Sequence, residues 1–359
     1  MARLFGQEFI RSDLLQRVGD ISQLCGVRLM RLEDGSEEGV RVIEARTGTG
    51  FRFNVLASRG MDISFAEYKG IPLSWRSCTG DVSPAFYEPE GDEWHRIFYG
   101  GMVITCGLSN VGAPCEDQGE RLGRHGRISA TPAQCVYADG RWEEDEYNLV
   151  IQGRMKQATF WGENLSLIRK ISTQLGTSML RIEDEVENLD FSPTPLMFLY
   201  HVNLGFPILS EGSTLLIPTK EVVPMEASMD PKTFDQFHPP MAEASSQVFY
   251  HDMASDPEGR VLVALINERL SIGVYIQYNK NHLKNFVQWK MLGQGAYVLA
   301  IEPANCHVEG RALERERGTL EFLQPGEKKN FSLELGVLES TPELREVKEK
   351  IESLIREGS

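Results

Sequence analysis

The chain has no long hydrophobic segment. Its 359 residues contain no apolar run that approaches the roughly 18 to 20 residues of a membrane-spanning helix. Residues 1–7 also lack the apolar core and the small-residue cleavage site of a signal peptide. We therefore expect a cytoplasmic protein with no membrane partner.

Basic side chains are in the minority. Lys and Arg total 37 against 52 Asp and Glu, which gives a formal net charge of −15. Proteins hold nucleic acids through clustered Lys and Arg side chains that contact phosphates. This charge balance argues against a nucleic-acid partner.

Metal and cofactor signatures are also missing. The six cysteines contain no CxxC pair and the histidines no HxxxH spacing, so we predict reduced thiols and no metal site. His125, His201 and His307 could converge with Glu302 from distant segments, but no short spacing supports a metal there. The sequence contains no GxGxxG, P-loop or GxSxG pattern, and we predict no cofactor.

Short β-type segments separated by turn residues fill most of the chain. Their regular spacing predicts an all-β, mostly antiparallel sandwich or barrel with few helices. Helices are expected near Ser12–Arg17 and at the C-terminus over Pro342–Arg356, with Thr341 as N-cap. The predicted strands are Gly39–Ala45, Phe51–Leu56, Tyr147–Gln152, Leu165–Thr173, Met179–Glu187, Leu196–Asn203, Thr214–Pro218, Arg260–Ile266, Ser271–Tyr278, Phe286–Met291, Ala296–Ile301, Gly318–Leu323 and Lys329–Leu338.

No repeat, linker or change in composition marks a domain boundary. We predict one domain over residues 1–359, with an N-terminal extension over about 1–35 and a C-terminal helix over about 342–356. Three connections, 81–96, 109–129 and 225–253, exceed the usual length of about 4 to 6 residues. Long loops on a rigid scaffold are where binding groups concentrate.

Glu302 is the first candidate for chemistry. It follows the apolar run Tyr297–Ile301, and Pro303 is expected to end the strand because proline has no N–H to donate. A carboxylate among apolar neighbours has a raised pKa, which suits proton transfer near neutral pH. An ordinary surface glutamate remains the alternative.

Two histidines occur in unusual contexts. His201 and Asn203 are two residues apart on a predicted strand and therefore share a face. His125 lies between Gly123 and Gly126, and glycines allow a sharp turn or a close approach to a ligand. The alternatives are a core histidine at 201 and a solvated basic loop around 125.

Two further stretches could contact a ligand. In Ser58–Ile63, Arg59 and Asp62 could bind sugar hydroxyls or form a salt-bridged hairpin. In Gln288–Met291, Trp289 could stack on a sugar ring or pack in the core.

Taken together, these stretches resemble the galactose mutarotase-like (aldose 1-epimerase) superfamily, within it the DUF4432 branch. The matching phrases occur in order over nearly the whole chain, up to about residue 311. They are Arg17–Gln23, Ser58–Ile63, Tyr68–Trp75, Gly100–Met102, His125–Arg127, Tyr200–Gly205 and Glu302–Asn305.

The resemblance implies that the fold is a β-supersandwich and that it binds a small carbohydrate. It also implies that the protein is an isomerase that interconverts sugar anomers. By similarity, His201 would donate a proton to the ring oxygen, Glu302 would take the proton of the anomeric hydroxyl, and His125 would hold the substrate. The expected binding residues are Arg59, Asp62, His125, Arg127, Asn203, Gln288, Trp289 and Lys290.

The sequence departs from the mutarotase pattern in two places. His201 precedes Val202-Asn203-Leu204, whereas the mutarotase histidine follows a related phrase. The family's substrate-binding Asp has no counterpart here, and Lys290 lies at a similar place along the chain. With Arg59, Arg124 and Arg127, Lys290 favours an anionic sugar.

Other functions are compatible with these residues. One is an isomerase or lyase that removes a carbon-bound proton from a sugar acid, which would need a metal or cation to stabilise the enolate. Another is a non-catalytic sugar-binding module. A homodimer is compatible with the sequence.

Overall fold

Strands follow one another along almost the whole chain. The computed structural model describes residues 1–357, so residues 358 and 359 of the predicted domain lie outside the described residues. Within 1–357 there are 24 strands: β1 Ala2–Leu4, β2 Gln7–Phe9, β3 Gly26–Arg31, β4 Arg41–Arg46, β5 Phe51–Leu56, β6 Asp62–Tyr68, β7 Ile71–Pro72, β8 Ile104–Leu108, β9 Cys115–Asp117, β10 Glu120–Leu122, β11 Gln134–Glu143, β12 Glu146–Ala158, β13 Asn164–Gln174, β14 Met179–Asn188, β15 Thr194–Gly205, β16 Ser213–Leu216, β17 Thr219–Pro224, β18 Gln247–Met253, β19 Arg260–Asn267, β20 Ile272–Asn279, β21 Asn285–Gly293, β22 Ala296–Ala304, β23 Glu321–Leu323 and β24 Lys328–Leu338.

The strands form three main sheets and two small hairpins. An eight-stranded sheet has the order β11-β12-β13-β14-β24-β20-β19-β16, and a five-stranded sheet runs β3-β4-β5-β6-β7. A seven-stranded sheet has the order β17-β18-β21-β22-β15-β23, with β8 also paired to β15. Neighbouring strands are antiparallel, for example β15 with β22 and β21 with β22. The predicted all-β, mostly antiparallel fold is confirmed.

The central strand β15 is buried on both faces. Phe198, Tyr200 and Val202 point into the main core, which also contains side chains of the other two large sheets. Met197 and Leu199 point the opposite way, into a second cluster with loop residues of segment 81–99. Because side chains alternate along a strand, His201 lies on this second face.

The predicted end of the strand at Pro303 is wrong. Strand β22 continues to Ala304, and Pro303 stands opposite Phe286 of β21. Only the pairing with β15 is interrupted there. Val202 pairs with Ile301 and Leu199 with Ala304, and the two positions between them are not paired. Because proline has no N–H to donate, β22 loses its pairing with β15 at this point, but it keeps its pairing with β21. Glu302 therefore lies inside a central strand.

Helices are few in the described part of the chain. They are α1 Arg11–Leu15, α2 Arg311–Glu316 and α3 Thr341–Glu357, so the expected C-terminal helix is present. Ser340, and not Thr341, caps α3, because its hydroxyl oxygen accepts a hydrogen bond from the Glu343 N–H. The predicted N-terminal extension is partly built into the fold, since β3 pairs with β4. None of the helices within residues 1–357 is long and apolar enough to cross a membrane.

Candidate active site

His201 and Glu302 stand side by side on the two central strands β15 and β22. The flanking pairs Val202–Ile301 and Leu199–Ala304 place them opposite each other, and His201 Nε2 lies 3.3 Å from Glu302 Oε1. They line a cavity of about 590 Å³ although their residues are only 5% and 2% exposed. Neither His201 Nδ1 nor Glu302 Oε1 has a hydrogen-bond partner within residues 1–357. Buried polar atoms are normally paired, so these two are available to a ligand.

Burial shifts the two groups in opposite directions. Desolvation raises the pKa of Glu302 well above its ordinary value, so the carboxyl group favours the protonated form. The same effect lowers the pKa of His201 to about 3, opposed by the neighbouring side chain of Asn203. Burial thus favours the uncharged form of both groups, in which the proton that the pair can exchange is on Glu302.

His125 faces the same cavity from the long loop between β8 and β11. Its ring centre is 5.8 Å from that of His201. His125 Nδ1 accepts a hydrogen bond from the Gly112 N–H, so in the neutral ring the proton is on Nε2. Burial, followed by the neighbouring His201, lowers the pKa of His125 well below its ordinary value. His125 is thus a neutral hydrogen-bond donor.

The backbone around His125 needs the glycine that follows it. His125 has φ 55° and Gly126 has φ 68°, both in the left-handed region. A Cβ on Gly126 would lie 2.2 Å from the Gly107 carbonyl oxygen, so only glycine fits against this neighbouring strand. The glycine flank seen in the sequence therefore serves close backbone packing.

Aromatic rings enclose the two histidines. The Phe98 ring centre lies 5.4 Å from His201, and Trp289 lies 5.7 Å from it on another side. Trp94 lies 4.6 Å from both Phe98 and His125. These rings remove water from the histidines and offer flat surfaces of the kind that stack on sugars.

The charged side chains at the edge of the cavity already have partners. Arg124 Nε lies 2.5 Å from Asp92 Oδ1. Glu309 accepts two hydrogen bonds from Arg317, at 2.6 and 3.0 Å. Each cavity charge is thus compensated by a residue of the opposite sign.

Arg59 and Asp62 do not reach the cavity. Arg59 is fully buried and donates to the carbonyl oxygens of Ser129, Val82 and Ile97. Asp62 is also fully buried, and its Oδ1 lies 2.7 Å from Arg169. The expectation that they contact a sugar is corrected, because both side chains are buried and neither lines the cavity.

Gln288 and Lys290 point to the opposite face of β21 from Trp289. Gln288 bonds His251 and the Phe234 carbonyl, and Lys290 Nζ donates to the carbonyl oxygens of Thr233 and Gln236. Since alternate residues of a strand face opposite ways, Trp289 can line the cavity only if its two neighbours do not. Their predicted role in substrate binding is corrected in the same way.

Asn203 and Arg127 also lie apart from the cavity. Asn203 shares the His201 face as predicted, but it is fully buried and donates to the carbonyl oxygens of Gly100 and His201. Arg127 is exposed and lines a separate groove. Of the four cations that favoured an anionic sugar, only Arg124 lines the cavity.

Several cavity residues were not nominated from the sequence. Glu309 belongs to the stretch that follows Glu302, and Trp94 and Phe98 come at or just beyond the end of the first long loop, where a binding role was expected in general terms. Others come from β18, β21 and the segment before β18, among them Met225, Ser246, Val248 and Met291.

Solved structures with the same architecture come from several bacteria. A candidate aldose 1-epimerase from Klebsiella pneumoniae superposes with a TM-score of 0.88 at 25% identity, over 94% of this chain and 91% of that one. A galactose mutarotase-like protein from Clostridium acetobutylicum gives 0.62 at 13% identity, over 88% and 99%. A galactose 1-epimerase from Lactobacillus acidophilus gives 0.56 at 13%, over 88% and 99%.

The sequence comparisons agree with the resemblance found at the outset. No curated protein matches the chain significantly. Residues 37–337 match the family described as a domain of unknown function, DUF4432. The chain therefore belongs to the DUF4432 family and has the galactose mutarotase-like fold.

Proposed function

We propose that the protein is a carbohydrate mutarotase, an isomerase that interconverts sugar anomers in the manner of an aldose 1-epimerase. The observation that carries this proposal is the buried pair His201 and Glu302, 3.3 Å apart and facing a cavity large enough for a sugar. The names of the structural neighbours, which include a galactose 1-epimerase, support it.

The reaction needs one proton donor and one proton acceptor near C1. The ring oxygen receives a proton while the anomeric hydroxyl loses one, the bond between C1 and the ring oxygen breaks, and the electrons of the hydroxyl form the aldehyde. Reclosure on the other face gives the second anomer. Because both oxygens are attached to C1, a donor and an acceptor 3.3 Å apart can serve them together.

The single proton of the pair is sufficient for this cycle. Its transfer from Glu302 to His201 Nε2 leaves a carboxylate that can accept the hydroxyl proton and an imidazolium that can donate to the ring oxygen. A carboxylate in a desolvated site is a strong base, which is the consequence of its raised pKa. His125 Nε2–H is placed to hold a substrate oxygen.

Saturation-transfer NMR of anomer exchange tests the proposal. Wild type should accelerate the exchange of at least one sugar in a panel of neutral sugars, uronates and sugar phosphates. Glu302→Gln should lose about 10²-fold or more of that rate, as expected for the loss of a general base. Glu221→Gln, at an exposed glutamate on β17, serves as the matched control and should keep the wild-type rate.

Two results would overturn the proposal. If sugars bind but none exchanges faster, the cavity belongs to a binding module or to a carbon-acid enzyme. If Glu302→Gln keeps the wild-type rate, the acid–base pair is not the catalyst.

A further inference from the structure

The cavity changes character along strand β21. Val287, Trp289 and Met291 face it at every second position, and Val287 stands opposite Glu302. The path from Val287 to Met291 therefore leads away from the acid–base pair along the strand.

The far part of this path is apolar. Val248 of β18 stands opposite Trp289, and the Met225 N–H donates to the Val248 carbonyl, which brings Met225 to the same place. Ser246 is the polar exception, but its hydroxyl already accepts a hydrogen bond from Trp289 Nε1 at 2.8 Å. We call Met225, Val248, Trp289 and Met291 the apolar arm.

The opposite part of the cavity is polar but electrically compensated. It contains the donor His125 together with Arg124, paired with Asp92, and Glu309, paired with Arg317. Because Asp92 already balances the charge of Arg124, a carboxylate or phosphate on the sugar would gain less from Arg124 than from an unpaired cation. The cavity is thus suited to hydroxyl groups at one end and to an apolar substituent at the other.

The chemistry of a pyranose relates these two ends. The ring oxygen is bonded to C1 on one side and to C5 on the other, and C5 carries C6. With the ring oxygen and the anomeric hydroxyl at the acid–base pair, C6 projects from one side of the ring and the C2 and C3 hydroxyls from the other. We infer that the substrate is a neutral 6-deoxyhexose whose methyl group occupies the apolar arm and whose hydroxyls face His125 and Glu309. This inference rests on the proposed function.

The size of the effect follows from desolvation. A methyl group gains from burial against Trp289 and Met291, whereas a hydroxymethyl or carboxylate group there would lose its bonds to water. One small group in an apolar pocket changes specificity by roughly tenfold or more. We expect this preference in kcat/KM for anomer exchange.

The test compares sugars that differ only at C6. In the galacto series these are 6-deoxygalactose, galactose and galacturonate, and the gluco and manno series provide the same triplets. The 6-deoxy sugar should be about tenfold better than its 6-hydroxy partner, with the uronate poorest. Equal rates, or a preferred hexose or uronate, would overturn the inference.

A measurement of sugar binding distinguishes a failure of this inference from a failure of the proposed function. If no sugar exchanges faster, the proposed function fails, and NMR titration of the same triplets still measures which C6 group the cavity prefers. A lack of preference for the 6-deoxy sugar in that titration contradicts the inference independently of catalysis.

A pair of variants assigns the preference to the apolar arm. Met291→Ser should reduce the ratio of 6-deoxy to 6-hydroxy rates to near one. Met241→Ser, at an exposed methionine outside the cavity, should keep the wild-type ratio. An unchanged ratio in Met291→Ser would show that the arm does not contact C6.

Discussion

At the scale of single residues, burial decides the charge of the pair His201 and Glu302. Glu302 has its pKa raised and His201 has its pKa lowered to about 3, each because desolvation disfavours the charged form. A fall in pH does not protonate His201 until about pH 3, and Glu302 ionises only above its raised pKa. Between these limits the pair keeps one proton.

The pH dependence of the reaction follows from this proton count. We expect kcat/KM to fall as the pH rises through the raised pKa of Glu302, and not to fall on acidification through about pH 6.5, where an ordinary histidine would become protonated. Anomer-exchange rates measured at low substrate concentration across this range check it. A loss of rate on acidification with a midpoint near pH 6.5 would contradict the lowered pKa of His201.

Part of the candidate site was predictable because alternate residues of a strand share a face. This rule placed His201 and Asn203 on one face, which the register with β22 confirms. Applied to Gln288-Trp289-Lys290, the same rule predicts that Trp289 faces one side of the strand and its two neighbours the other. No local rule could show that Arg59 donates to backbone carbonyls or that Asp62 pairs with Arg169, because those partners come from distant parts of the chain.

At the scale of elements, Lys290 fastens the segment 225–246 to strand β21. Its ammonium group donates to the carbonyl oxygens of Thr233 and Gln236, and Gln288 holds the Phe234 carbonyl. The same segment supplies Met225 and Ser246 to the cavity. Lys290 is therefore a positioning residue.

Removal of this fastening should loosen the segment. In Lys290→Met two carbonyls lose their donor, and we expect faster amide hydrogen exchange over residues 231–246 and a higher KM with a smaller change in kcat. Lys232→Met, at an exposed lysine in the same segment, should leave both properties unchanged. Wild-type exchange in Lys290→Met would contradict this role.

Of the ten strands with eight or more residues that the structure describes, only β11 was not predicted from sequence, whereas shorter strands such as β6 and β18 were missed. Phe51–Leu56 was predicted with its true bounds, and all thirteen predicted segments overlap strands. The segment Gln134–Glu143 was missed because its residues are exposed or half-buried and include Asp139 and Gly140, which disfavour strands. The predicted strand ended at Ile301 because Pro303 was expected to stop it. In the structure the pairing with β21 continues past Pro303.

At the scale of the whole molecule, a buried ionic network joins the three large sheets. Arg169 of β13 bonds Asp184 of β14, Asp62 of β6 and Thr105 of β8, and Tyr200 of β15, the strand that carries His201, donates to Asp184. The side chains of Arg169, Asp62 and Asp184 are fully excluded from solvent. One guanidinium thus connects the site to the rest of the fold.

Loss of this guanidinium should be costly. Arg169→Met leaves buried carboxylates without a cation, and we expect the free energy of unfolding to fall by about 3 to 5 kcal/mol. Burial already raises the pKa of Asp62, and without Arg169 protonation is favoured further, so the deficit should shrink as the pH falls towards about 4. Denaturant unfolding at several pH values measures it.

The matched control is Arg181→Met. Arg181, like Arg169, pairs with a carboxylate on another strand, but its side chain is 53% exposed. Its loss should therefore lower the free energy of unfolding by less than about 1 kcal/mol. Equal losses in the two variants would contradict the importance of the buried network.

The fold of the whole molecule was predictable mainly from the set of phrases that resemble one family, since strand spacing alone left a sandwich and a barrel open. The matched region, residues 37–337, begins after the N-terminal strands β1–β3. The charge of the substrate was not predictable from the cations that suggested it, because Arg59 and Lys290 donate to carbonyls distant in the chain and Arg127 lines a separate groove.

The central claim is that His201 and Glu302 act as one proton-transfer unit. The direct measurement is the anomer-exchange rate of wild type, His201→Asn, Glu302→Gln and the double variant with the best sugar of the panel. Residues that act as a unit are not additive, so the double variant should be no slower than the slower single variant. Losses that multiply in the double variant, or a single variant that keeps the wild-type rate, would contradict the claim.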